Sequence, residues 1–223
     1  GDVYKRQEAM KRDKDYTILA PEMSPIHFPI IEAAVQREGY HIEIIPPIHE
    51  DIDKGLSCVN NDACYPAIIT IGSLMRALTS GKYDLSKTAV MLSQTGGMCR
   101  ASNYVGFLHK ALDEAGLSDI PVISLNTHGF EPQPGFHFSL SMGRRMIQAV
   151  IYGDALQQCL YRTRPYEKEP GSAETLCRSW QKRCIEAILS GESYTSYKKN
   201  IAGIIQDFDR LPLSDMPRRP RIG

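Results

Sequence analysis

The chain has 223 residues, and its 26 Lys and Arg residues balance its 26 Asp and Glu residues, so the formal net charge is zero. A neutral chain has no global basic field that attracts nucleic acid or anionic lipid, and we expect neither as a partner. The longest apolar runs fall far short of the roughly 20 residues that a transmembrane helix requires, so no membrane span is expected. Six cysteines are too sparse for a secreted disulfide scaffold, and a cytoplasmic location is predicted.

Both ends of the sequence predict an internal fragment of a longer protein. The first residues, GDVYKRQ, back-translate into a transposon end that is used to prepare sequencing libraries. We therefore leave residues 1–15, a sequencing scar and a disordered lead, out of the predicted fold. Residues 216–223 have the composition of a linker into a further domain.

Strand-like and helical patterns alternate over residues 16–127. A strand in YTILAPEM, a helix in IHFPIIEAAVQREG and a strand in YHIEIIPP come first. The helix PAIITIGSLMRALTSG, with Pro66 near its start, and the buried strand KTAVMLSQ follow. The pattern repeats with the helix SNYVGFLHKALDEAG and the strand IPVISLN. This alternation predicts an α/β fold, a Rossmann-like parallel sheet covered by helices.

The pattern changes after Asn126. A loop rich in Gly and Pro leads into three helical segments without strands between them: LSMGRRMIQAVIYGDALQQCLYRT, AETLCRSWQKRCIEAILSG and YTSYKKNIAGIIQDFDRL. Helices of this length without partner strands either form a bundle or cover a sheet. We therefore predict a helical region over residues 128–215, packing on or beside the α/β domain.

Two cysteines lie where a parallel sheet binds its ligands, in loops at the carboxyl ends of strands or at helix starts. Cys99 lies in SQTGGMCRASN, after a predicted strand, and Cys64 lies in NNDACYPA, just before a predicted helix. The positive end of a helix and its unpaired amides favour the thiolate that binds metal. Because the cysteine pairs lack the Cys-x-x-Cys spacing of zinc ribbons, a metal site here requires distant loops to meet.

The loop that carries Cys99 supplies further candidates for the surroundings of a ligand. They are Gln94, Thr95, Gly96, Gly97, Arg100, Ser102 and Asn103. The arginine adds positive charge beside the thiol, and the two glycines let backbone amides approach a ligand closely. Either Ser102 or Asn103 is expected to cap the following helix. The loop lacks the signatures of Walker and dinucleotide sites, so no nucleotide site is predicted.

The other cysteines and the histidines are weaker candidates. Free cysteine is often a small buried hydrophobe, which is also the alternative for Cys64 and Cys99. Packing alone explains Cys58, in the strand-like run LSCVN, and the three cysteines on predicted helices, namely Cys159, Cys177 and Cys184. Among histidines, His27 after the first strand is the best placed, followed by His128, although a structural role is the alternative for both.

Several segments, taken in order, resemble one family, the acyl-CoA dehydratase activase-related proteins. They are YTILAPEMSPIHF, NNDACYPAI, GKYDLSKTAVMLSQTGGMCRASNYVGFLHKAL, IPVISLN, VIYGDALQQCLYRTRPYE and DFDRLP. Long members of this family resemble a fusion of an ATP-hydrolysing, cluster-bearing activator with a module similar to 2-hydroxyglutaryl-CoA dehydratase subunits. The chain is similar to the dehydratase-like part from Tyr16 onwards.

The resemblance implies a 4Fe-4S cluster that receives single electrons from an activator driven by ATP hydrolysis. Cys64 and Cys99 would be cluster ligands, Cys58 a third candidate outside the family's motifs, and further ligands would lie beyond Gly223. The implied partners are an activator ATPase domain or subunit and an acyl-CoA, with no ATPase activity in this stretch. Two alternatives stay open: a binding or assembly domain whose cysteines are structural, and a zinc-bound domain.

Overall fold

The computed structural model describes residues 15–60, 62–95, 97–126, 136–217 and 219–220. They separate into two compact units, each treated by itself. The sheet unit contains the described residues up to Phe28 and those of Glu38–Leu140. The helical unit contains Pro29–Arg37 and the described residues of Ser141–Gly223.

Four parallel strands form the sheet. They are β1 (Thr17–Pro21), β2 (His41–Ile45), β3 (Thr88–Gln94) and β4 (Val122–Asn126). The strand order is β2-β1-β3-β4, with Thr17 opposite both His41 and Thr88. The predicted α/β class with a parallel, Rossmann-like sheet is confirmed. Since the chain leaves β1 towards β2 and returns to β3 on the other side, the switch point of the sheet lies between β1 and β3.

Three helices of the sheet unit follow these strands. They are α2 (Glu50–Leu56), α3 (Tyr65–Thr79) and α4 (Tyr104–Glu114), while α1 (Phe28–Gln36) falls almost wholly in the helical unit. Pro66 occupies the first turn of α3, as predicted, where its missing N–H has no intrahelical partner to lose. Helices α3 and α4 share one apolar core with the sheet, built from Leu19, Ile71, Leu74, Val90, Leu92, Leu108 and Leu112.

Helix α2 corrects the prediction of a strand-like run around Cys58. The helix ends at Leu56, and Ser57 and Cys58 form a turn after it. Two glycines let α2 contact α3 backbone to backbone: a Cβ atom on Gly55 would clash with the Ile68 carbonyl oxygen, and one on Gly72 with that of Asp51. Close tertiary packing therefore stabilises a helix that is too short to be stable alone.

An ion pair between a buried carboxylate and a partly exposed arginine links the same two helices. The Asp51 side chain is fully buried, and its Oδ1 accepts a hydrogen bond of 2.5 Å from Arg76 Nε. Its Oδ2 accepts from the Ile48 amide at 2.8 Å and from Arg76 Nη2 at 3.2 Å. The carboxylate is thus paired on both oxygens, as a buried charge requires.

The helical unit contains α5 (Leu140–Thr163), α6 (Ser172–Ser190) and α7 (Tyr194–Asp209), which confirms the three helical segments predicted from the sequence. A polar network joins α5, α7 and the short turn between α6 and α7, where Glu192 lies. The Tyr152 hydroxyl donates to the Glu192 carboxylate at 2.8 Å, and the Asn200 amide donates to the same carboxylate at 3.0 Å. Within the part of the chain that the structure describes, no helix has the length and apolar character to cross a bilayer.

Trp180, the single tryptophan of the chain, belongs to α6 and packs against α7. Its ring is buried, with 6% exposed, and its Nε1 donates to Asp207 Oδ2 at 3.0 Å. The ring packs so closely on Gly203 that a Cβ atom there would lie 2.7 Å from the indole. On the same helix Cys177 and Cys184 are buried, which confirms that they pack.

Candidate functional site

The carboxyl ends of β1 and β3 meet at the switch point of the sheet. The Ser93 hydroxyl, near the end of β3, lies 3.5 Å from the sulfur of Met23, which follows β1. The loop after β3 carries Cys99, so this loop begins at the edge of the sheet where ligands of doubly wound folds bind.

Cys64 is the N-cap residue of α3, with an extended backbone (φ −68°, ψ 150°). The thiol is half-buried, and its Sγ lies 3.5 Å from the hydroxyl of Tyr104, the first residue of α4. The hydrogen bond from Tyr104 is the main cause that lowers the pKa of Cys64, with smaller contributions from the Ala67 amide and the Arg100 charge. The site therefore favours a thiolate at Cys64.

Arg100 connects the stretches that hold the two cysteines. Its Nη1 donates a hydrogen bond to the backbone carbonyl of Asp62, two residues before Cys64. Cys99 is exposed and immediately precedes a short 3₁₀ helix, Arg100–Asn103. The two thiols, separated by 35 positions in the sequence, thus belong to loops that are joined by the Arg100 contact and by the bond between Cys64 and Tyr104.

The start of α4 lies at one of the two residues predicted to cap it. Asn103 is the N-cap residue, but its side chain makes no capping hydrogen bond. The Ser102 hydroxyl donates instead to the Cys99 carbonyl at 2.8 Å, within its own turn. The prediction that Ser102 or Asn103 caps the helix is therefore confirmed for the position of Asn103. The side-chain hydrogen bond at this helix start comes from elsewhere: Gln94 Oε1, from the end of β3, accepts from the Val105 amide at 3.4 Å.

The remaining loop candidates have backbone roles. The Thr95 amide donates to the Ala101 carbonyl at 3.3 Å, which closes the loop between β3 and the 3₁₀ helix. Gly97 has a φ of 155°, a value that residues with a side chain rarely adopt. Gly96 lies outside the described residues, so its predicted amide contact with a ligand stays a prediction.

Cys58 and His27 have local partners. The Cys58 thiol is half-buried against the apolar core, and its Sγ lies 3.6 Å from the Ser57 hydroxyl. His27 Nδ1 shares a hydrogen bond of 2.8 Å with the Ser24 hydroxyl, within the turn that precedes α1. His128 lies outside the described residues.

The sequence did not predict two residues that contribute to the candidate site, Tyr104 and Asp62. The tyrosine belongs to the apolar pattern of a predicted helix, where an aromatic ring is expected to pack. Its hydroxyl could have been noticed, because a tyrosine in the first turn after a thiol-bearing loop has a polar atom that needs a partner. Asp62 contributes only its backbone carbonyl, which any residue type has.

The reactivity of the thiols should distinguish the cysteines of the candidate site from the buried cysteines of the helical unit. Burial raises the pKa of Cys177 to about 11 and the pKa of Cys184 to about 12. With its pKa lowered, Cys64 is thiolate at a pH where those two are protonated.

We therefore expect iodoacetamide, near neutral pH, to modify exposed Cys99 and half-buried Cys64 well before Cys177 and Cys184. Peptide mapping by mass spectrometry over a pH series measures the rates. The rate at Cys64 should rise at a lower pH than the ordinary pKa of a free thiol. Equal rates at all four cysteines, or a rise at Cys64 above that pH, would contradict the arrangement.

Among the described residues, no three His, Cys, Asp or Glu side chains come together in a group that could hold a metal ion. The candidate metal donors at this site are the thiols of Cys64 and Cys99. The chain matches no protein-family model, no curated protein and no solved structure.

Proposed function

We propose that Cys64 and Cys99 are thiolate ligands of a 4Fe-4S cluster. In this proposal the chain is the cluster-binding, electron-transfer module of a cytoplasmic, ATP-dependent system related to 2-hydroxyacyl-CoA dehydratases and their activases. One observation carries the proposal: the Cys64 sulfur, at a helix N-terminus, is hydrogen-bonded by Tyr104, and Arg100 ties its loop to the loop of Cys99. A bound cluster would supply one-electron chemistry.

The two thiols fit part of such a cluster. A 4Fe-4S cube takes about four protein ligands, usually cysteine thiolates, so about two further ligands have to come from outside the described residues. Thiolates are soft ligands that select iron-sulfur clusters and also zinc. Zinc is therefore the main rival for the same donors, and the experiment has to distinguish the two metals.

The loop of Cys99 is exposed, so a partner that delivers electrons could reach it. Cys99 and Arg100 are exposed, and the side chain of Met98 is fully exposed. We place the activator ATPase, as a separate domain or subunit, and an acyl-CoA substrate on this side. ATP hydrolysis belongs to the partner, because the Gly96-Gly97 loop has no Walker lysine.

The test is reconstitution of the chain with iron and sulfide under anaerobic conditions. 2-Mercaptoethanol in the buffer supplies external thiolates for positions that the chain leaves open. We expect about four iron and four sulfide ions per chain and a broad absorption band near about 400 nm. Both should be lost in Cys64→Ser and in Cys99→Ser. Cys159→Ser, a half-buried cysteine of the helical unit, is the matched control and should keep them.

Two other outcomes would overturn the proposal. Stoichiometric zinc without iron, lost in the same two variants, would make this a zinc-bound domain. Protein that takes up neither metal, with unchanged folding in both variants, would make the cysteines structural and the chain a binding or assembly module.

A further inference from the structure

Tyr104 occupies a fixed position beside the Cys64 sulfur. Its ring is 6% exposed and belongs to the apolar core that α3 and α4 share with the sheet. Its hydroxyl lies 3.5 Å from Cys64 Sγ. Because the packed ring has little freedom to turn, the hydroxyl is held in contact with the sulfur, 40 positions away in the sequence.

The hydrogen bond has a defined direction once the sulfur is a thiolate. A thiolate has no proton to donate, so the phenol must be the donor. Arg100 acts on the same sulfur through its charge, while its Nη1 is bonded to the Asp62 carbonyl.

We propose that Tyr104 is a positioning residue of the cluster site, which orients the Cys64 sulfur towards the metal and sets the reduction potential of the cluster through its hydrogen bond. This inference rests on the proposed function and adds a residue to it. A hydrogen bond to a ligand sulfur withdraws negative charge from the metal centre. The reduced cluster carries one more electron than the oxidised cluster, so the bond stabilises the reduced form and raises the potential.

The decisive variant is Tyr104→Phe, which keeps the packed ring and removes only the hydroxyl. The matched control is Tyr83→Phe in the same unit, where the hydroxyl donates to Glu43 Oε1 at 2.7 Å and has no cysteine partner in that bond. Each protein is reconstituted with iron and sulfide as above and titrated anaerobically for its midpoint potential. Resonance Raman spectra record the iron-thiolate stretching bands.

We expect Tyr104→Phe to have a more negative midpoint potential and shifted iron-thiolate bands, while Tyr83→Phe matches the unsubstituted chain. A second protein carries 3-fluorotyrosine at position 104, which keeps the ring and hydroxyl and makes the phenol a stronger donor. Its potential should shift in the positive direction.

The outcomes separate this inference from the proposed function. If the unsubstituted chain takes up no iron, the proposed function is wrong and the role of Tyr104 falls with it. If that chain holds a cluster and Tyr104→Phe has the same potential and bands, Tyr104 only packs, and the inference alone is overturned. Should Tyr104→Phe fail to fold or to hold the cluster, the fluorotyrosine protein decides: a positive shift supports the inference, and an unchanged potential overturns it.

Discussion

Replacement of Gly72 by alanine should destabilise the sheet unit by about 3 kcal/mol, the upper part of the range for overpacking. The new Cβ atom would clash with the Asp51 carbonyl oxygen and would lie 2.9 Å from the Gly55 amide nitrogen. Both are backbone atoms of α2, so no side-chain rotation relieves the contact and the two helices have to separate. Urea denaturation followed by far-ultraviolet circular dichroism measures the loss as a lower midpoint.

The matched control is Gly106→Ala, in the first turn of α4. A Cβ atom at Gly106 meets the Asn103 side chain, which can rotate away. Alanine also has a helix propensity about 1 kcal/mol better than glycine, so this variant should be neutral or slightly more stable. If Gly72→Ala were equally harmless, the close contact of α2 with α3 would not exist in solution.

Removal of the buried carboxylate is expected to have the second large effect. Asp51→Ala should cost about 3 kcal/mol, because the Ile48 amide and Arg76 Nε lose their buried acceptor, while Arg76 Nη2 keeps only the Pro46 carbonyl at 3.0 Å. Asp51→Asn should cost less, since an amide oxygen can still accept from Ile48. Thermal and urea unfolding of both variants measure the two values.

A surface pair provides the comparison for this prediction. Lys82 and Glu43 form an ion pair of 2.6 Å, but their side chains are 63% and 40% exposed. Lys82→Ala should therefore leave the urea midpoint nearly unchanged, because an exposed ion pair is screened by water and salt. Similar losses for Lys82→Ala and Asp51→Ala would mean that the Asp51 carboxylate is not buried in solution.

The strands and long helices could be predicted because their patterns are local. Strand β3 is buried along its first five residues, and an uninterrupted apolar run is the pattern of a central parallel strand. Helix α2 could not be predicted in this way, since it has seven residues and depends on contacts of Gly55 and Asp51 with α3. Those contacts are tertiary, and no local pattern encodes them.

The same distinction applies to the candidate site. The position of Cys64 at a helix start followed from Pro66 and the loop before it, which are local features. The hydrogen bond from the Val105 amide to Gln94, eleven positions earlier, did not follow from local features. The polar residues next to the helix were the obvious candidates for that bond. The bond from Tyr104 to Cys64 likewise depends on α3 and α4 lying side by side, which the order of the segments does not specify.

The single tryptophan gives the helical unit an optical label of its own. Trp180 is buried against Gly203 and hydrogen-bonded to Asp207, so its emission changes when α6 and α7 separate. Because the chain has one tryptophan, all of its indole fluorescence comes from Trp180. Indole fluorescence therefore follows the melting of the helical unit, whereas circular dichroism sums the helices of both units. One unlabelled sample can thus yield a separate melting curve for α6 and α7.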